Sequence, residues 1–412
     1  MEKCAKLSGA SIDATKNSDG SKTADSDAKT GGAVDTDQSC SDESGAKMVD
    51  IDLSYYPGEE LNIARSCSRC YVKLELHKIW NCGACDRRAY CGSDCQEEDW
   101  KQHKIWCNRA IAQLDIDFEI RLSEYGMGVF AKRDITVGEK ILAERSIIRL
   151  PEGQMLRDMG ESFRAAVATL PLSVKEAISS LHPEPADTEI RDNIFKETMG
   201  ECSLQMKYNS FGLADGGGGD SGIFVIASRF NHSCIPNCGR TFVDDYDLML
   251  IFADQSIKKG EEMTISYTAQ YESAQQFKSH MNSVWKFECK CRVCQDSNLF
   301  LKLLQVHIND DIIEELGGAG NVNEAYELGL ESLKLYDELG IGAVLRQRVY
   351  YDMFQMSILH RKTLESAKMC AKKHLQYITL VYGGSNKEPS QLKMAKELNS
   401  HVEDHELYCG LD

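Results

Sequence analysis

The stretch Asn231-His232-Ser233-Cys234-Ile235-Pro236-Asn237 decides the fold, together with Gly260-Glu261-Glu262-Met263-Thr264-Ile265-Ser266-Tyr267 about thirty residues later. An Asn-His pair in a turn rich in Cys and Pro, before a strand that ends in Tyr, packs a core poorly. The same side chains are useful where hydrogen bonds must be placed in a pocket. We therefore expect the two stretches to contribute to a functional site.

A third stretch, Phe287-Glu288-Cys289-Lys290-Cys291-Arg292-Val293-Cys294, carries three closely spaced thiols without a fourth local partner. Cys234 could supply that partner. One metal ion held by these four cysteines would tie the first and third stretches together.

The composition restricts the classes of function. The chain has 412 residues, enough for two or three domains, and its 64 acidic against 47 basic residues give a net charge of -17. Nucleic acid would be repelled by this balance unless a strong basic patch opposed it. An acidic surface would help to attract protein segments rich in Lys and Arg, although ordinary solubility explains it equally well.

The cysteines indicate a reducing compartment. No run of 18 apolar residues predicts a transmembrane helix, and the polar N-terminus does not resemble a secretory signal. Seventeen cysteines in such a chain are expected to be thiols, and clustered thiols are typical metal ligands. We expect the protein in the cytoplasm, the nucleus or both.

The organisation along the chain changes several times. Residues 1–54 are polar and low in aromatic content, which predicts a disordered tail, and a block dense in Cys and His follows. Arg109 to Phe118 predicts a short helical linker. Strand patterns occupy Phe118 to Leu150 and Ile223 to Tyr267, and residues 151–208 between them predict a helical insertion.

The C-terminal part predicts helices. Apolar residues recur at helical spacing from Val322 to Tyr336 and again from Leu364 to Tyr382. These stripes are typical of a helical core, and their arrangement resembles stacked tetratricopeptide hairpins, although no 34-residue repeat is evident. The fold class predicted for the whole chain is α+β and multidomain.

The Cys/His block predicts two zinc sites. Its eight soft ligands fall into four close pairs, namely Cys67 and Cys70, Cys82 and Cys85, Cys91 and Cys95, and His103 and Cys107. Each pair fits on a knuckle or on one helical turn, so that both side chains reach one tetrahedral ion. A disulfide framework, the alternative, conflicts with the compartment.

This spacing, with Tyr90 directly before Cys91, resembles the MYND finger. The resemblance implies two interleaved sites, one of Cys67, Cys70, Cys91 and Cys95, the other of Cys82, Cys85, His103 and Cys107. It also implies a protein-interaction module that often takes proline-containing peptides. A finger that only stabilises its neighbour is the alternative, and DNA binding is not expected because the thiolate charges cancel the small basic surplus.

Four motifs in order resemble the SET domain, the fold of a large class of protein lysine methyltransferases. They are Gly126-Met127-Gly128-Val129-Phe130-Ala131, the stretch from Arg229 to Asn237, the stretch from Gly260 to Tyr267, and the cysteine cluster. With the finger and the helical C-terminus, the chain resembles the SET–MYND group over roughly residues 67–400. The implied domains are a finger (67–107), a SET domain (116–270), a post-SET segment (271–298) and a helical, tetratricopeptide-like domain (299–412).

The resemblance implies S-adenosylmethionine as cofactor and three structural zinc ions, the third held by Cys234, Cys289, Cys291 and Cys294. It also implies a pseudoknot that brings the Asn231 and Tyr267 segments together. The residues expected at the cofactor are Tyr125, Gly126, Met127, Gly128, Asn209, Ser228, Asn231, His232, Tyr267 and Phe287. Phe211 and Trp285 are expected to line the channel for the substrate lysine.

Tyr267 is the expected catalytic residue. A lysine of unperturbed pKa about 10.4 must attack as the neutral amine, and a narrow apolar channel disfavours the ammonium. The Tyr267 hydroxyl and main-chain carbonyls would orient the amine, because an in-line displacement depends mainly on geometry. The alternative is a buried Tyr that only closes a strand.

The chain departs from the group's pattern at two points. The finger precedes the Gly126-Met127-Gly128 motif, whereas in much of the group that motif comes first, so the finger is expected to be appended. Trp285 stands where the group often has Tyr, and its indole N–H can only donate. The number of methyl groups transferred therefore stays open.

Two classes of function follow. The first is a protein-lysine N-methyltransferase acting on histone or non-histone proteins. The second is a non-catalytic scaffold or transcriptional adaptor that binds protein partners through the finger and the helices. We expect no membrane or direct nucleic-acid partner, and a monomer.

Overall fold

A computed structural model describes the chain from Cys67 onward. Outside the described residues lie 1–66, 68, 70–73, 75–78, 86–87, 110, 113, 115, 153–155, 171, 182–196, 198–199, 201, 214–218, 247, 268–280, 286, 360, 406–407 and 409–412. The tail predicted at 1–54 and the predicted zinc ligand Cys70 are therefore outside them. Helices and sheets both occur, which confirms the predicted α+β class.

The strands are short and lie mostly between residues 118 and 265. They are β1 Trp80–Asn81, β2 Ala89–Tyr90, β3 Phe118–Ser123, β4 Gly126–Ala131, β5 Lys140–Glu144, β6 Ile148–Leu150, β7 Ser210–Gly212, β8 Ser221–Ile223, β9 Asn231–His232, β10 Cys238–Val243, β11 Leu248–Ala253 and β12 Glu262–Ile265.

The helices belong to the finger, the insertion, the segment with the cysteine cluster and the C-terminal part. They are α1 Ser93–Trp106, α2 Leu156–Thr169, α3 Leu172–Ser179, α4 Ser203–Asn209, α5 Arg292–Gln295, α6 Ser297–Gly318, α7 Val322–Leu339, α8 Ala343–Ser357, α9 Leu364–Tyr382 and α10 Ser390–Ser400. Short 3-10 turns cover Ala227–Arg229, Arg361–Thr363 and Val402–Asp404.

Three small sheets form the central part of the molecule. Their strand orders are β3-β4-β12-β9, β10-β11-β5 and β6-β8-β7. Among the strands named above, all pairings are antiparallel except that of β12 with β9, which is parallel and sets Thr264 opposite Asn231 and Ile265 opposite His232. Along the chain, β10 and β11 lie between β9 and β12, but they pair with each other in a different sheet. The connection from β9 to β12 is therefore a crossover, and it brings the first and second motif stretches side by side.

The strand β11 shows how the sheets are buried. All six of its residues are buried, so both faces of this strand are covered. Met249, Ile251 and Ala253 belong to the core under the central sheets. The alternate residues Leu248, Leu250 and Phe252 pack against the finger and the C-terminal helices. Because successive side chains of a strand point to opposite faces, β11 contributes to two separate hydrophobic cores.

The finger is attached to the C-terminal helices. Ile105 and Trp106, at the end of α1, pack in one cluster with Ile378 and Tyr382 of α9. Asn386 donates from its side chain to the carbonyls of Lys104 at 2.7 Å and Cys107 at 3.0 Å, and from its main chain to that of Ile105 at 2.9 Å. Carbonyls at the end of α1 thereby gain partners that the helix itself cannot supply.

The C-terminal helices pack against one another in sequence order, from α6 to α10. The predicted stripes are confirmed, since Ala325 and Tyr336 of α7 and Ala367 and Ile378 of α9 are buried. Within the part of the chain that the structure describes, no helix combines the length and apolar character needed to cross a bilayer.

Two buried charged residues join the central sheets to these helices. Asp254 accepts from the main-chain N–H of Ala343 and from that of Val344 at 3.3 Å, at the start of α8. Lys140 donates to the carbonyls of Leu380 and Val381 at the end of α9. A carboxylate at a helix N-terminus and an ammonium at a C-terminus both complement the helix dipole.

The helical linker predicted from Arg109 to Phe118 is wrong. The described part of this segment contains no helix, a turn covers 116–117, and isolated bridges join Ile111 to Lys140 and Leu114 to Phe118. The main-chain N–H of Ala112 donates to the Lys140 carbonyl at 2.9 Å. Pairing with the edge of β5 satisfies the backbone in place of helical hydrogen bonds.

Candidate active site

Asn237 holds the crossover of β9 and β12 together. Its side-chain oxygen accepts from the main-chain N–H of Thr264 at 2.9 Å, and its amide nitrogen donates to the Glu262 carbonyl at 2.9 Å. The Asn237 side chain thus makes hydrogen bonds to the main chain of β12 that a neighbouring strand would otherwise make. Asn231 and His232 are thus fixed beside the strand that leads to Tyr267.

The side chain of Asn231 is bound within the protein. Its amide nitrogen donates to Ser123 Oγ at 2.9 Å, to Glu262 Oε1 at 2.8 Å and, more weakly, to the Met127 carbonyl at 3.4 Å. These contacts connect the turn of the β3–β4 hairpin to both β9 and β12. These contacts use only the amide nitrogen. Asn231 could therefore contact a ligand through its side-chain oxygen or through its main chain.

The two glycines of the hairpin serve different needs. Gly126 has a φ of +104°, a conformation that side chains other than glycine rarely adopt. At Gly128, an added Cβ would lie 2.4 Å from Glu262 Oε1 and 2.9 Å from Asn231 Nδ2. The absent side chain at Gly128 therefore makes room for the hydrogen-bonded pair of Asn231 and Glu262.

His232 is buried, with 4% of its surface exposed. Its Nδ1 lies 3.0 Å from the main-chain nitrogen of Tyr267 and accepts that N–H. Its Nε2 lies 3.6 Å from Cys234 Sγ. The imidazole is therefore placed between the strand end that carries Tyr267 and the cysteine cluster.

Tyr267 lies in an aromatic environment and its hydroxyl donates to the Phe230 carbonyl at 2.8 Å. Its ring centroid is 5.4 Å from that of His232 and 5.7 Å from that of Trp285. Burial, and secondarily the charge of Glu262, raise the pKa of the phenol well above its usual value. The hydroxyl is therefore protonated and oriented at neutral pH.

The hairpin turn contacts the post-SET segment. The main-chain N–H of Lys290 donates to the Tyr125 hydroxyl at 2.8 Å, and Lys290 Nζ pairs with Glu124 Oε1 at 2.7 Å. The rings of Tyr125 and Phe287 lie 5.4 Å apart at an angle of 57°. These contacts join the hairpin to the cysteine cluster beside His232 and Tyr267.

Asn209 and Ser228 tie the insertion to the 3-10 turn before β9. The Asn209 amide donates to the Gln205 carbonyl at 2.9 Å, and the Ser228 hydroxyl contacts the Asn209 carbonyl at 3.3 Å. Glu144, which the sequence did not single out, accepts from the main-chain N–H groups of Ile226 and Ala227 at 3.0 and 2.8 Å. A Glu directly after the apolar residues Ile141, Leu142 and Ala143 of a strand was the available signal.

A cleft of about 800 Å³ opens beside Tyr267. Phe211 and Trp285, expected to line a lysine channel, both border it. The Arg240 guanidinium lies 5.3 Å from the centre of the Phe211 ring. Helices form the opposite wall with the residues Phe300, Leu303, Leu304, His307, Asp310, Tyr336, Leu345 and Arg348. The cleft thus runs between the central sheets and the C-terminal helices.

Cys234, Cys289, Cys291 and Cys294 meet at one place, as the spacing predicted. The Cys234 sulfur lies 3.4 Å from that of Cys294 and 3.9 Å from that of Cys289. Hydrogen bonds from Cys234 and then Cys294 lower the pKa of the Cys291 thiol and so favour its thiolate. Four soft sulfur donors within reach of one point fit a tetrahedral zinc ion, which binds thiolates.

The finger brings its ligands together in two groups. One consists of Cys82, Cys85, His103 and Cys107, in which His103 Nε2 lies 3.1 Å from Cys85 Sγ. Burial lowers the pKa of His103 to about 4, which keeps the ring in the neutral form that binds metal. The other group contains Cys67, Cys91 and Cys95, and its predicted fourth ligand, Cys70, is outside the described residues.

Asp99 supports the finger and was not recognised in the sequence. It is almost completely buried, accepts from the Tyr90 hydroxyl at 2.6 Å and pairs with Arg88. Tyr90 is therefore held by a hydrogen bond as well as by packing. The two partners offset the cost of burying this carboxylate.

Two family models match the chain. The model of the SET domain matches residues 126–268, and the model of the MYND finger matches residues 65–107. The matched regions contain the β9–β12 crossover and all the described finger ligands. The site thus belongs to a SET domain that follows a MYND finger.

Several curated proteins are similar to the chain. Human histone-lysine N-methyltransferase SMYD3 is 27% identical over 240 residues, which are 56% of this chain and 51% of that protein. Histone-lysine N-methyltransferase set5 of Schizosaccharomyces pombe is 27% identical over 283 residues, 66% of this chain and 80% of that protein. Human N-lysine methyltransferase SMYD2 is 25% identical over 240 residues, 55% of this chain and 50% of that protein.

The chain spans about half the length of the SMYD3 and SMYD2 relatives it matches. The chain therefore contains a MYND finger followed by a SET domain, and it is similar to curated lysine methyltransferases that include SMYD3 and SMYD2.

Proposed function

We propose that this chain is an S-adenosylmethionine-dependent protein-lysine N-methyltransferase. The observation that carries the proposal is the parallel pairing of β9 with β12, which sets Asn231 and His232 beside the strand leading to Tyr267. Around this point lie the aromatic rings of Tyr125, Phe287 and Trp285, next to a cleft large enough for a peptide segment.

The residues around the crossover fit a cofactor with an adenine ring and a charged methionine part. Phe287 and Tyr125 offer aromatic faces, and the main chain at Gly126 and His232 offers polar groups. The full set proposed to hold it is Tyr125, Gly126, Met127, Gly128, Asn209, Ser228, Asn231, His232, Tyr267 and Phe287. When bound, S-adenosylmethionine supplies an electrophilic methyl group.

The chain's own contribution to the reaction is to prepare the lysine. Phe211, Tyr267 and Trp285 would enclose the side chain in apolar surroundings, where the neutral amine is favoured over the ammonium. The Tyr267 hydroxyl, which is fixed on the Phe230 carbonyl, would orient the amine toward the methyl group. Alignment of the attacking nitrogen is the main requirement of an in-line displacement.

Three structural zinc ions complete the proposal. The four cysteines of the post-SET cluster would hold one, and the two finger groups would hold the others, with Cys70 as the fourth ligand beside Cys67, Cys91 and Cys95. No zinc site takes part in methyl transfer. Each would fix a segment that otherwise has a small core.

The substrate would be a lysine in a histone or non-histone protein, in the nucleus or the cytoplasm. The cleft between sheets and helices would take the chain on either side of that lysine. Trp80 and Trp100 of the finger are 55% and 42% exposed, which suits a second contact with a proline-containing partner. The protein is proposed to act as a monomer.

The proposal is tested with purified, zinc-loaded protein, methyl-labelled S-adenosylmethionine and a protein extract, beside a Tyr267→Phe variant. We expect label in protein lysines with the native chain and at least about a 10-fold loss with the variant. Equal labelling by both would remove Tyr267 from the mechanism. Cofactor binding without labelling of any lysine, or partner capture without cofactor binding, would favour the scaffold function.

A further inference from the structure

We propose that the side chain of His232 is a positioning residue that couples the four-cysteine zinc site to Tyr267. The resemblance to the SET domain implies that His232 contacts the cofactor. The side chain points elsewhere, between Cys234 and the main chain of Tyr267. This inference rests on the proposed function and on zinc in the post-SET cluster.

The hydrogen bonds of His232 fix its tautomer. The main-chain N–H of Tyr267 can only donate, so Nδ1, at 3.0 Å, must be the acceptor and carries no proton. A neutral imidazole has one N–H, which must then be on Nε2. Nε2 lies 3.6 Å from Cys234 Sγ, within the range of an N–H to sulfur hydrogen bond, and His232 also hydrogen-bonds the thiol of Cys289 in the same cluster.

This donor has the right chemistry for a zinc-bound thiolate. Four thiolates around one zinc ion carry a net charge of about -2, which an N–H donor stabilises. Cys234 belongs to the same turn as His232, and its sulfur lies beside those of Cys289 and Cys294. The post-SET cysteines and the crossover turn therefore share one hydrogen-bonded unit.

The coupling follows from the chain of contacts. Zinc would fix Cys234, the thiolate would fix the His232 ring, and the ring would fix the Tyr267 main chain. The ring also packs against Tyr267, with centroids 5.4 Å apart, and against Phe287 at 6.3 Å. Loss of zinc would thus loosen the main chain of Tyr267, although Tyr267 contributes no zinc ligand.

Two substitutions separate the two hydrogen bonds. In His232→Asn the side-chain oxygen can take the place of Nδ1 and keep the acceptor for Tyr267, but the donor to Cys234 is lost. In His232→Gln the amide nitrogen can take the place of Nε2 and keep that donor, but the acceptor is lost. Ser233→Ala, in the same turn, removes a hydroxyl that donates only to the Ile235 carbonyl and is the matched control.

The first measurement is zinc release to a chromophoric chelator. We expect one of three zinc ions to leave about 10- to 100-fold faster from His232→Asn than from the native chain, because donors to metal ligands contribute this much to affinity. His232→Gln and Ser233→Ala should release zinc at nearly the native rate. Equal release from His232→Asn and His232→Gln would overturn the proposed hydrogen bond to Cys234.

The second measurement is hydrogen exchange of the Tyr267 amide. It should be about 5- to 10-fold faster in His232→Gln, through loss of one hydrogen bond. It should also be faster in Cys294→Ser, in which His232 is intact but the zinc site is not. Native exchange in Cys294→Ser would overturn the coupling even if the His232 variants failed to fold. Neither measurement needs methyl transfer, so both distinguish this inference from the proposed activity.

Discussion

The amide nitrogen of Asn231 donates to Glu262 Oε1 at 2.8 Å, across the parallel pairing of β9 and β12. This bond joins the two stretches that decide the fold, and Gly128 lies against both partners. Because the amide also contacts Ser123, the hairpin turn is held in the same network. Glu262 is therefore an organising residue of the proposed cofactor site.

Glu262→Ala should weaken cofactor binding and lower the free energy of unfolding by about 1.5–3 kcal/mol, because a charged acceptor of the Asn231 amide is lost. Glu262→Gln keeps an oxygen acceptor and should stay closer to the native protein. Titration calorimetry with S-adenosylmethionine and denaturant unfolding measure the two effects. Glu119→Ala, which removes a partly exposed carboxylate of β3 paired with Arg121, is the control. Equal behaviour of the Ala and Gln variants would show that the acceptor does not matter.

Local features of this chain were readable from the sequence. The paired finger ligands lie within a knuckle or a helical turn, and the apolar stripes of α7 and α9 depend only on helical period. Cys234 could be connected with Cys289, Cys291 and Cys294 because three thiols at close spacing lack a fourth. In the finger and the helices, short-range spacing determines which side chains can meet, whereas Cys234, 55 residues before Cys289, was inferred from the missing fourth ligand.

Long-range contacts were not readable in the same way. Nothing in residue order connects Asn386 with the end of α1, or Lys140 with the end of α9. The segment after the finger has helical spacing but pairs with β5, since an available strand edge outweighs weak local propensity. The crossover of β9 and β12 was expected only from the resemblance to the SET domain.

Gly128→Ala should lower both stability and cofactor affinity, because its Cβ would lie 2.4 Å from Glu262 Oε1 and 2.9 Å from Asn231 Nδ2. We expect a loss of about 1–3 kcal/mol in the free energy of unfolding, as for other overpacked sites. Gly318→Ala, at the end of α6 with open space around it, provides the comparison. A Gly128→Ala protein as stable as Gly318→Ala would contradict the close contact.

Tyr125→Phe should speed cofactor dissociation several-fold, because the hydroxyl that accepts the Lys290 N–H is lost. A net hydrogen bond of about 0.5–1.5 kcal/mol corresponds to a factor of about 2 to 10. Lys290→Met removes only the exposed pair with Glu124 and should change dissociation little. Stopped-flow measurements of the cofactor dissociation rate compare the two variants. A larger effect of Lys290→Met would show that the exposed ion pair with Glu124 matters more than the hydrogen bond to Tyr125.

Asp254 should give the stability a specific pH dependence. Burial raises its pKa to about 6 in the folded protein, above the value of 3.8 expected when unfolded. The folded state then binds more protons between these values, so the contribution of Asp254 is present at low pH and is lost as pH rises through about 6. Relative to Asp254→Asn, the native protein should lose roughly 3 kcal/mol from pH 4 to above 6.

Denaturant unfolding at each pH measures the difference in the free energy of unfolding between the two proteins. Both proteins contain the same zinc sites, so the pH dependence of these sites cancels in the difference. Asn at position 254 can still accept from the N–H groups of Ala343 and Val344, so the start of α8 is preserved. A difference that stays constant over this pH range would show that Asp254 does not titrate with a raised pKa.

Binding of S-adenosylmethionine to the zinc-loaded protein, measured by titration calorimetry, tests the central claim most directly. The crossover of β9 and β12 is proposed to form a cofactor site, so we expect one molecule bound per chain and binding weakened at least about 10-fold by Glu262→Ala. Failure of a folded, zinc-loaded native chain to bind the cofactor would contradict the proposed methyltransferase.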